Sequence, residues 1–546
     1  MSNFSTLNSL DNELTLSSGN LVATNTTSNH YGVKSTIQLP STGKYYFEGT
    51  IKTLGAACCL GTASGDPSLT STGTRYLLVN SGGTRQRYTD GSNINVSGLP
   101  TPAVGVVMQA AYDADNQYLW IGMNNVWMDS TGGVTGNPTT GVNPTFTSVS
   151  DTFFAVNQYT SAIGTNFGQF PWRYDPPSGF VALSTDNLSE PAISNVAAEK
   201  PEDYFNTVLY DGNATDGNSI TGVGFQPDLI WTKTRDSSNE HFVMDSVRGT
   251  GFGFEITSTY GDITGNQFLA SFDSDGFTLN SGARANRTGE NHAAWCWKAG
   301  GTAVSNNAGS IASQVSANTD SGFSIVSYTG DDNVSATIGH GIGATPKVVI
   351  VKCRSTAGTY WTTYHAEISS GTNGFLELNS SAGQQNGAFF GATQTFNSNV
   401  FSVGMPGTAS NSTNVSGRTY IAYCWAEVEG FSKFGTYTAN NDNNGPFVYI
   451  GFRPALIIIK ETGGSGAWNI LDAKRDPYNA TLTGNHLLAN APNAEQTAAS
   501  RSPTFSVEFL SNGFKLRGSH DEINEGTNKY VYMAFADSPY KYSAAR

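Results

Sequence analysis

The last two-thirds of this chain carry one pattern three times over, and that repetition constrains the fold more than any local motif. Each copy opens on a tyrosine in a turn-flanked strand: Tyr210, Tyr328 and Tyr437. A proline follows 17 or 18 residues later and leads an apolar run. These are Pro227 before Leu229-Ile230-Trp231, Pro346 before Val348-Val349-Ile350-Val351, and Pro454 before Leu456-Ile457-Ile458-Ile459. Lys233, Lys352 and Lys460 end the runs. Proline lacks an N–H and holds the chain extended, which suits a strand entrance. Further on come the hairpin segments Phe272–Phe277, Phe396–Phe401 and Phe509–Phe514, where Asp-Gly or Asn-Gly favours a tight turn in the outer copies; Val400 breaks that preference in the middle one. Each copy closes on an aromatic strand: Trp295-Cys296-Trp297, Tyr423-Cys424-Trp425 and Tyr532-Met533-Ala534-Phe535. Consecutive prolines stand 119 and 108 residues apart. That is too long for a solenoid unit and about right for a small β-domain.

Composition agrees with many short strands joined by polar turns. Only 13% of residues are charged, Gly numbers 61, and Ser, Thr and Asn fill surface positions. Disorder does not fit a chain with 30 Phe, 24 Tyr and 9 Trp. The net charge of −14 and the absence of a Lys/Arg block argue against nucleic-acid binding. No stretch approaches a membrane span, and the first twenty residues lack a secretory pattern. The five cysteines, Cys58, Cys59, Cys296, Cys353 and Cys424, lack zinc or disulfide spacing and read as small buried hydrophobes.

Residues 1–186 read as a separate β-rich domain. Val104–Tyr112, the turn Asp113-Ala114-Asp115-Asn116 and Tyr118–Gly122 predict a hairpin. Phe47, Leu119, Ile121 and Phe167 are core candidates; Trp120 and Trp127 read first as buried, with an aromatic anchor on a recognition surface as the alternative. The ordered blocks GKYYFE, VGVVMQAAYDADNQYLWIGMNNVW, FFAVNQY and NFGQFPW…PPSGFVAL resemble SPRY domains, above all those of tailed-phage virion proteins, over about residues 10–184. The resemblance implies a two-sheet antiparallel β-sandwich that recognises protein or peptide through edge loops, without catalysis. The three later copies resemble β-rich repeat domains found beside SPRY-like segments in virion proteins of phages of marine bacteria.

The expected architecture is therefore all-β: a SPRY-like β-sandwich at 1–186, a linker at 187–203, and three related β-sandwich-like repeat domains at 204–307, 308–430 and 431–546. Lys233, Lys352 and Lys460 read either as strand-end, edge-protecting charges or as a repeated anion or glycan contact. With Trp120 and Trp127 they form the candidate binding surface. Trp295 with Trp297, and Tyr423 with Trp425, are core candidates that would form a sugar platform only on an exposed face. The oxygen-rich turns at Asp113/Asp115 and at Asn440, Asp442 and Asn444 lack the full spacing of a calcium loop and read as Asx turns. No histidine pair has metal-ligand spacing, and no nucleophile elbow or phosphate loop is present, so no catalytic residue, metal or cofactor is expected.

The resemblance implies a non-enzymatic phage virion protein assembled in the host cytoplasm: a tail fiber or exposed appendage binding a bacterial surface glycan or protein. The alternatives are a capsid or tail decoration protein whose partners are other virion proteins and, ranked lower, a glycan depolymerase. A homo-oligomer, a trimer as in many fibers, is expected without a coiled coil.

Overall fold

The computed structural model describes residues 3–65, 67–68, 74–81, 84–89, 92–196, 198–282, 284–368, 373–405, 412–477, 485–497 and 505–542. It is almost entirely β-strand, arranged in discrete antiparallel sheets, an all-β architecture of sandwich-like layers. The chain divides into two compact units, Met1–Glu190 and Pro191–Arg546. Among the described residues no helix is long and apolar enough to cross a membrane.

In the first unit a seven-stranded sheet runs in the order Leu7–Asn12, Tyr31–Gln38, Phe153–Tyr159, Ala57–Ala63, Arg75–Ser81, Thr84–Thr89, Ser92–Asn95. A second sheet is centred on Lys44–Thr53, flanked by Val107–Asp113 and Ala162–Asn166. Strand alternation aims Phe47 into the interior, where it stacks on Phe154 of the other sheet at 5.0 Å and on Phe167 at 4.6 Å. Leu119 and Ile121 are fully buried as well. The expected hairpin forms, with Asp113 paired to Tyr118 and Gln117 in the left-handed region.

In the second unit one strand order occurs three times. In each large sheet an opening strand (Phe205–Asp211, Phe323–Thr329, Ser432–Thr438) lies beside a closing strand (Asn291–Trp297, Thr419–Ala426, Lys529–Pro539). A proline-led strand comes next (Leu229–Thr234, Pro346–Cys353, Phe452–Glu461), then a third strand (Phe242–Asp245, Thr362–His365, Asn469–Asp472) and a fourth (Phe252–Glu255, Gly374–Glu377, His486–Leu488). A small sheet covers one face of each: Asn218–Thr221 with Gly276–Leu279, Ala336–Gly339 with Val400–Val403, and Phe447–Tyr449 with Gly513–Leu516. The hairpin turns are shifted by one residue from expectation. Ser274-Asp275 and Ser511-Asn512 occupy the turns, and Gly276 and Gly513 begin the return strands, where a Cβ would meet the carbonyl of Ile220 or Val448. In the middle module Val400 takes that place and pairs with Gly339.

The large sheets are buried on both faces. In the first module Ala294 and Cys296 face the small sheet, while Trp295 and Trp297 face the other way. In the second, Ala422 and Cys424 face the small sheet, and Tyr423 and Trp425 face away. These outward aromatics join residues of all three modules in one shared core. Trp297 lies 6.1 Å from Trp425 and 5.6 Å from Phe535. The three expected repeat segments thus lie within one compact unit around a common centre. The junction is packed too: Ile193 joins that core, and Pro201–Asp203 forms a 3-10 turn.

Candidate functional site

The five side chains of the candidate binding surface are all withdrawn from solvent. Trp120 alternates with the core residues Leu119 and Ile121, so it stands on the outer face of its sheet. There it is covered by Phe180 and packed with Tyr46 and Trp127. Its indole N–H donates to the Val142 carbonyl at 2.9 Å, and that of Trp127 to Asn125 Oδ1 at 3.2 Å. The three lysines share strand parity with Trp231, Ile350 and Ile458 and so point into the shared core, where edge protection and solubilisation do not apply. Each ammonium bonds carbonyls at the end of its strand or in the loop that follows. Lys233 Nζ donates to Thr234 O at 2.5 Å and Ser237 O at 3.1 Å, Lys352 Nζ to Thr359 O, and Lys460 Nζ to Glu461 O and Gly466 O, both at 2.8 Å. Lys460 also reaches Ser381 O of the second module at 3.0 Å. Burial pushes Lys352 down to about 7 and Lys233 and Lys460 to about 8.

The repeated tyrosines have one role in every copy. Tyr210 stacks on His292, Tyr328 on Tyr420 and Tyr437 on Tyr530, at 5.0, 5.2 and 5.1 Å. Their hydroxyls donate to Ala285 O, Thr413 O and Ile523 O at 2.8, 2.6 and 2.7 Å. The residue after each of those carbonyls is a buried asparagine: Asn286, Asn414 or Asn524. Its Oδ1 accepts from the backbone just past the opening strand, at Asn213, Asp331 or Asn440. Sequence reading missed these asparagines. Their signal is a constant offset of six residues to the stacked ring and eleven to the central aromatic. The Asn440–Asn444 turn is held this way: Asn524 Nδ2 donates to Asn440 Oδ1, and Asn440 Oδ1 accepts from Asp442 N. Asp113 is likewise engaged, by Lys44 Nζ at 2.9 Å and by Asn116. Among the described residues no cluster of three or more His, Cys, Asp or Glu is placed to hold a metal ion.

Polar contacts between modules close in a cycle. Tyr423 of the second module donates to Asp245 Oδ2 of the first at 2.7 Å, Trp295 of the first to Asp472 Oδ2 of the third at 3.0 Å, and His365 Nε2 of the second lies 3.1 Å from Tyr532 O of the third. Two of these seams carry matching charge chains. Arg248 bridges Asp245 at 2.6 Å to Asp262 at 3.1 Å, and Arg354 completes the chain at 2.9 Å. Arg475 bridges Asp472 at 2.5 Å to Glu495 at 3.2 Å, and Arg235 completes it at 2.8 Å. The spacing D-x-x-R and K-x-R encodes these chains, another signal that sequence reading passed over. The third seam has His365 and Ile368 in the places of Asp and Arg, and burial lowers His365 to about 4.

One open feature lies at the seam of the first and third modules. A cleft of about 280 Å³ separates Phe205, Asn206 and Thr207 of the first opening strand from Arg453, Ala455 and Ala536 of the third module. Glu202, Lys474 and Asp537 stand at its rim, exposed.

No curated protein matches the chain. Solved structures similar to it include the SPRY domain of human HERC1, at 10% identity and TM-score 0.23, covering 30% of this chain and 99% of that one. Another is the carbohydrate-binding module CBM66 from Bacillus subtilis, at 10% identity and TM-score 0.21, covering 30% of this chain and 94% of that one. A family model matches residues 200–539, which takes in all three modules as a single domain. By that match over more than half its length, the chain belongs to the family described as a domain of unknown function, DUF7483.

Proposed function

We propose that this is a non-enzymatic structural and recognition protein of a tailed-phage particle, a tail fiber or exposed appendage that contributes to attachment to the host surface. In this reading the first unit is a SPRY-like sandwich, and the three modules are related repeats descended from one unit. The four SPRY-like sequence blocks support the first point. The recurring Tyr–carbonyl–Asn lock supports the second. The observation that carries the proposal is the use made of the buried charges and aromatics. Arg248, Arg475, Lys460 and the central rings fasten module to module, as a rigid loop-bearing scaffold requires. Its ligand would be a bacterial surface glycan or protein held by shallow loop contacts, and the assembled form a homotrimer in the virion. Purified chain is then expected to adsorb to host cells and compete with phage adsorption. Failure on both counts, with the chain folded and assembled, sinks the attachment reading. The open cleft and strand edge favour a second reading, a decoration protein that binds another virion protein; a particle map showing the chain enclosed by neighbours would select it.

A further inference from the structure

The outer edge of the first module differs from that of the second in one respect. Phe205–Asp211 and Phe323–Thr329 correspond residue for residue, since Phe205 pairs with Trp297 as Phe323 pairs with Trp425. In the second module the edge is occupied: Ser313–Asn318 adds antiparallel to it, with Ser316 opposite Ile325 and Asn318 opposite Phe323. In the first module Phe205–Asp211 is the outermost strand of its sheet. The cleft lies beside Phe205, Asn206 and Thr207, whose counterparts carry Asn318, Ala317 and Ser316 in the second module.

The hydrogen-bond parity agrees. Lys298 N donates to Tyr204 O and Gly212 N to Glu290 O, so even-numbered residues bond inward to the closing strand. Thr207 and Leu209 therefore direct their N–H and C=O groups outward. The Thr207 N–H is capped at 2.9 Å by Asn206 Oδ1, whose Nδ2 donates to Val223 O at 3.1 Å, so an incoming strand would take over that one N–H from a side chain of the same strand. Leu209 is 41% exposed.

We propose that this edge and its cleft bind an extended segment of another protein, which adds antiparallel to Phe205–Asp211 as Ser313–Asn318 adds to the second module. The internal strand indicates the occupant: about six residues with small side chains opposite Phe205–Thr207, neutral or basic where they approach Asp211. A second copy of this chain fits poorly. In a self-pair centred on Thr207, the register that fills the cleft, Asp211 of each copy faces Asp203 of the other with Glu202 alongside, and directly opposed like charges destabilise a strand pair. The inference holds whether or not the chain belongs to a virion.

A labelled, C-terminally amidated peptide of residues 311–318, which ends before Asp320 would meet Asp203, titrated onto the full chain and read by fluorescence anisotropy, tests it. Saturable binding below ~1 mM is expected. Leu209→Pro removes an outward N–H without taking a bond from the sheet and is expected to weaken binding at least tenfold. Peptide N-methylated at Ser316, whose N–H would face the edge, is expected to lose binding, whereas methylation at Val315 leaves it intact. The second comparison leaves the protein unaltered, so it decides the matter even if the proline variant misfolds. Absence of binding, or equal binding by both methylated peptides, overturns the proposal. Sedimentation showing that the chain dimerises through this edge, with dimers lost in Leu209→Pro, overturns the assignment to a foreign strand.

Discussion

Replacing Lys352 by methionine should stabilise the second unit at neutral pH and do so less as the pH rises. The Lys352 side chain is fully buried; its Nζ donates to Thr359 O and, at 3.2 Å, to Thr359 Oγ1. No carboxylate lies within ion-pair distance of it among the described residues. Burial lowers its pKa from 10.5 to about 7. Between those values the unfolded chain binds a proton that the folded chain releases, so stability rises with pH: the contribution is complete above the unfolded pKa and is lost as pH falls through the folded one. At up to about 1.4 kcal/mol per pH unit, tapering as each pKa is reached, the residue lowers stability at pH 7 by about 4 kcal/mol relative to pH 10.5. Lys352→Met removes that term but leaves Thr359 O without its donor, a loss of about 1–2 kcal/mol. The variant is therefore expected to exceed the wild type by about 3 kcal/mol at pH 7, and the excess should shrink by about 2 kcal/mol at pH 8.5. Urea unfolding followed by tryptophan fluorescence at the two pH values measures both. A difference that does not change with pH would mean that the ammonium stays hydrated, and the account of these lysines would be wrong.

Arg475→Met strands Asp472 inside the seam of the first and third modules and should cost about 3–5 kcal/mol, while Asp472→Leu combined with Arg475→Met should recover most of that loss in the same urea assay. Tyr328→Phe deletes one hydroxyl donor and is expected to cost about 1 kcal/mol. Asn414→Ala leaves several loop groups unpaired and should cost distinctly more; equal losses in thermal melts would contradict the lock assigned to the pair.

Much of the strand pattern was legible in the sequence because alternation and turn chemistry are local. Pro346 opens its strand as expected, whereas Pro454 is the third residue of Phe452–Glu461; Phe47, Leu119 and Ile121 are buried as expected. The lysines were misread because a lysine at a strand end is ordinarily solvated. Parity with Trp231, Ile350 and Ile458 was the available clue, but it matters only if the second face of the sheet is covered. That covering comes from the other modules, through contacts between residues 79 positions apart at Lys460 and Ser381 and farther elsewhere, which no local pattern encodes. The same holds for Trp295, Trp297, Tyr423 and Trp425: spacing placed each pair on one face, and packing across modules made that face the interior. Asn286, Asn414 and Asn524 escaped notice because a loop asparagine is commonplace until its partner, the backbone just past an opening strand 73 to 84 residues earlier, is known.

The central claim is that three modules close into one domain around Trp297, Trp425 and Phe535. Differential scanning calorimetry of residues 191–546 tests it most directly. A single cooperative transition is predicted, with calorimetric and van't Hoff enthalpies in agreement. Three resolved transitions, each matching that of a separately produced module, would contradict it.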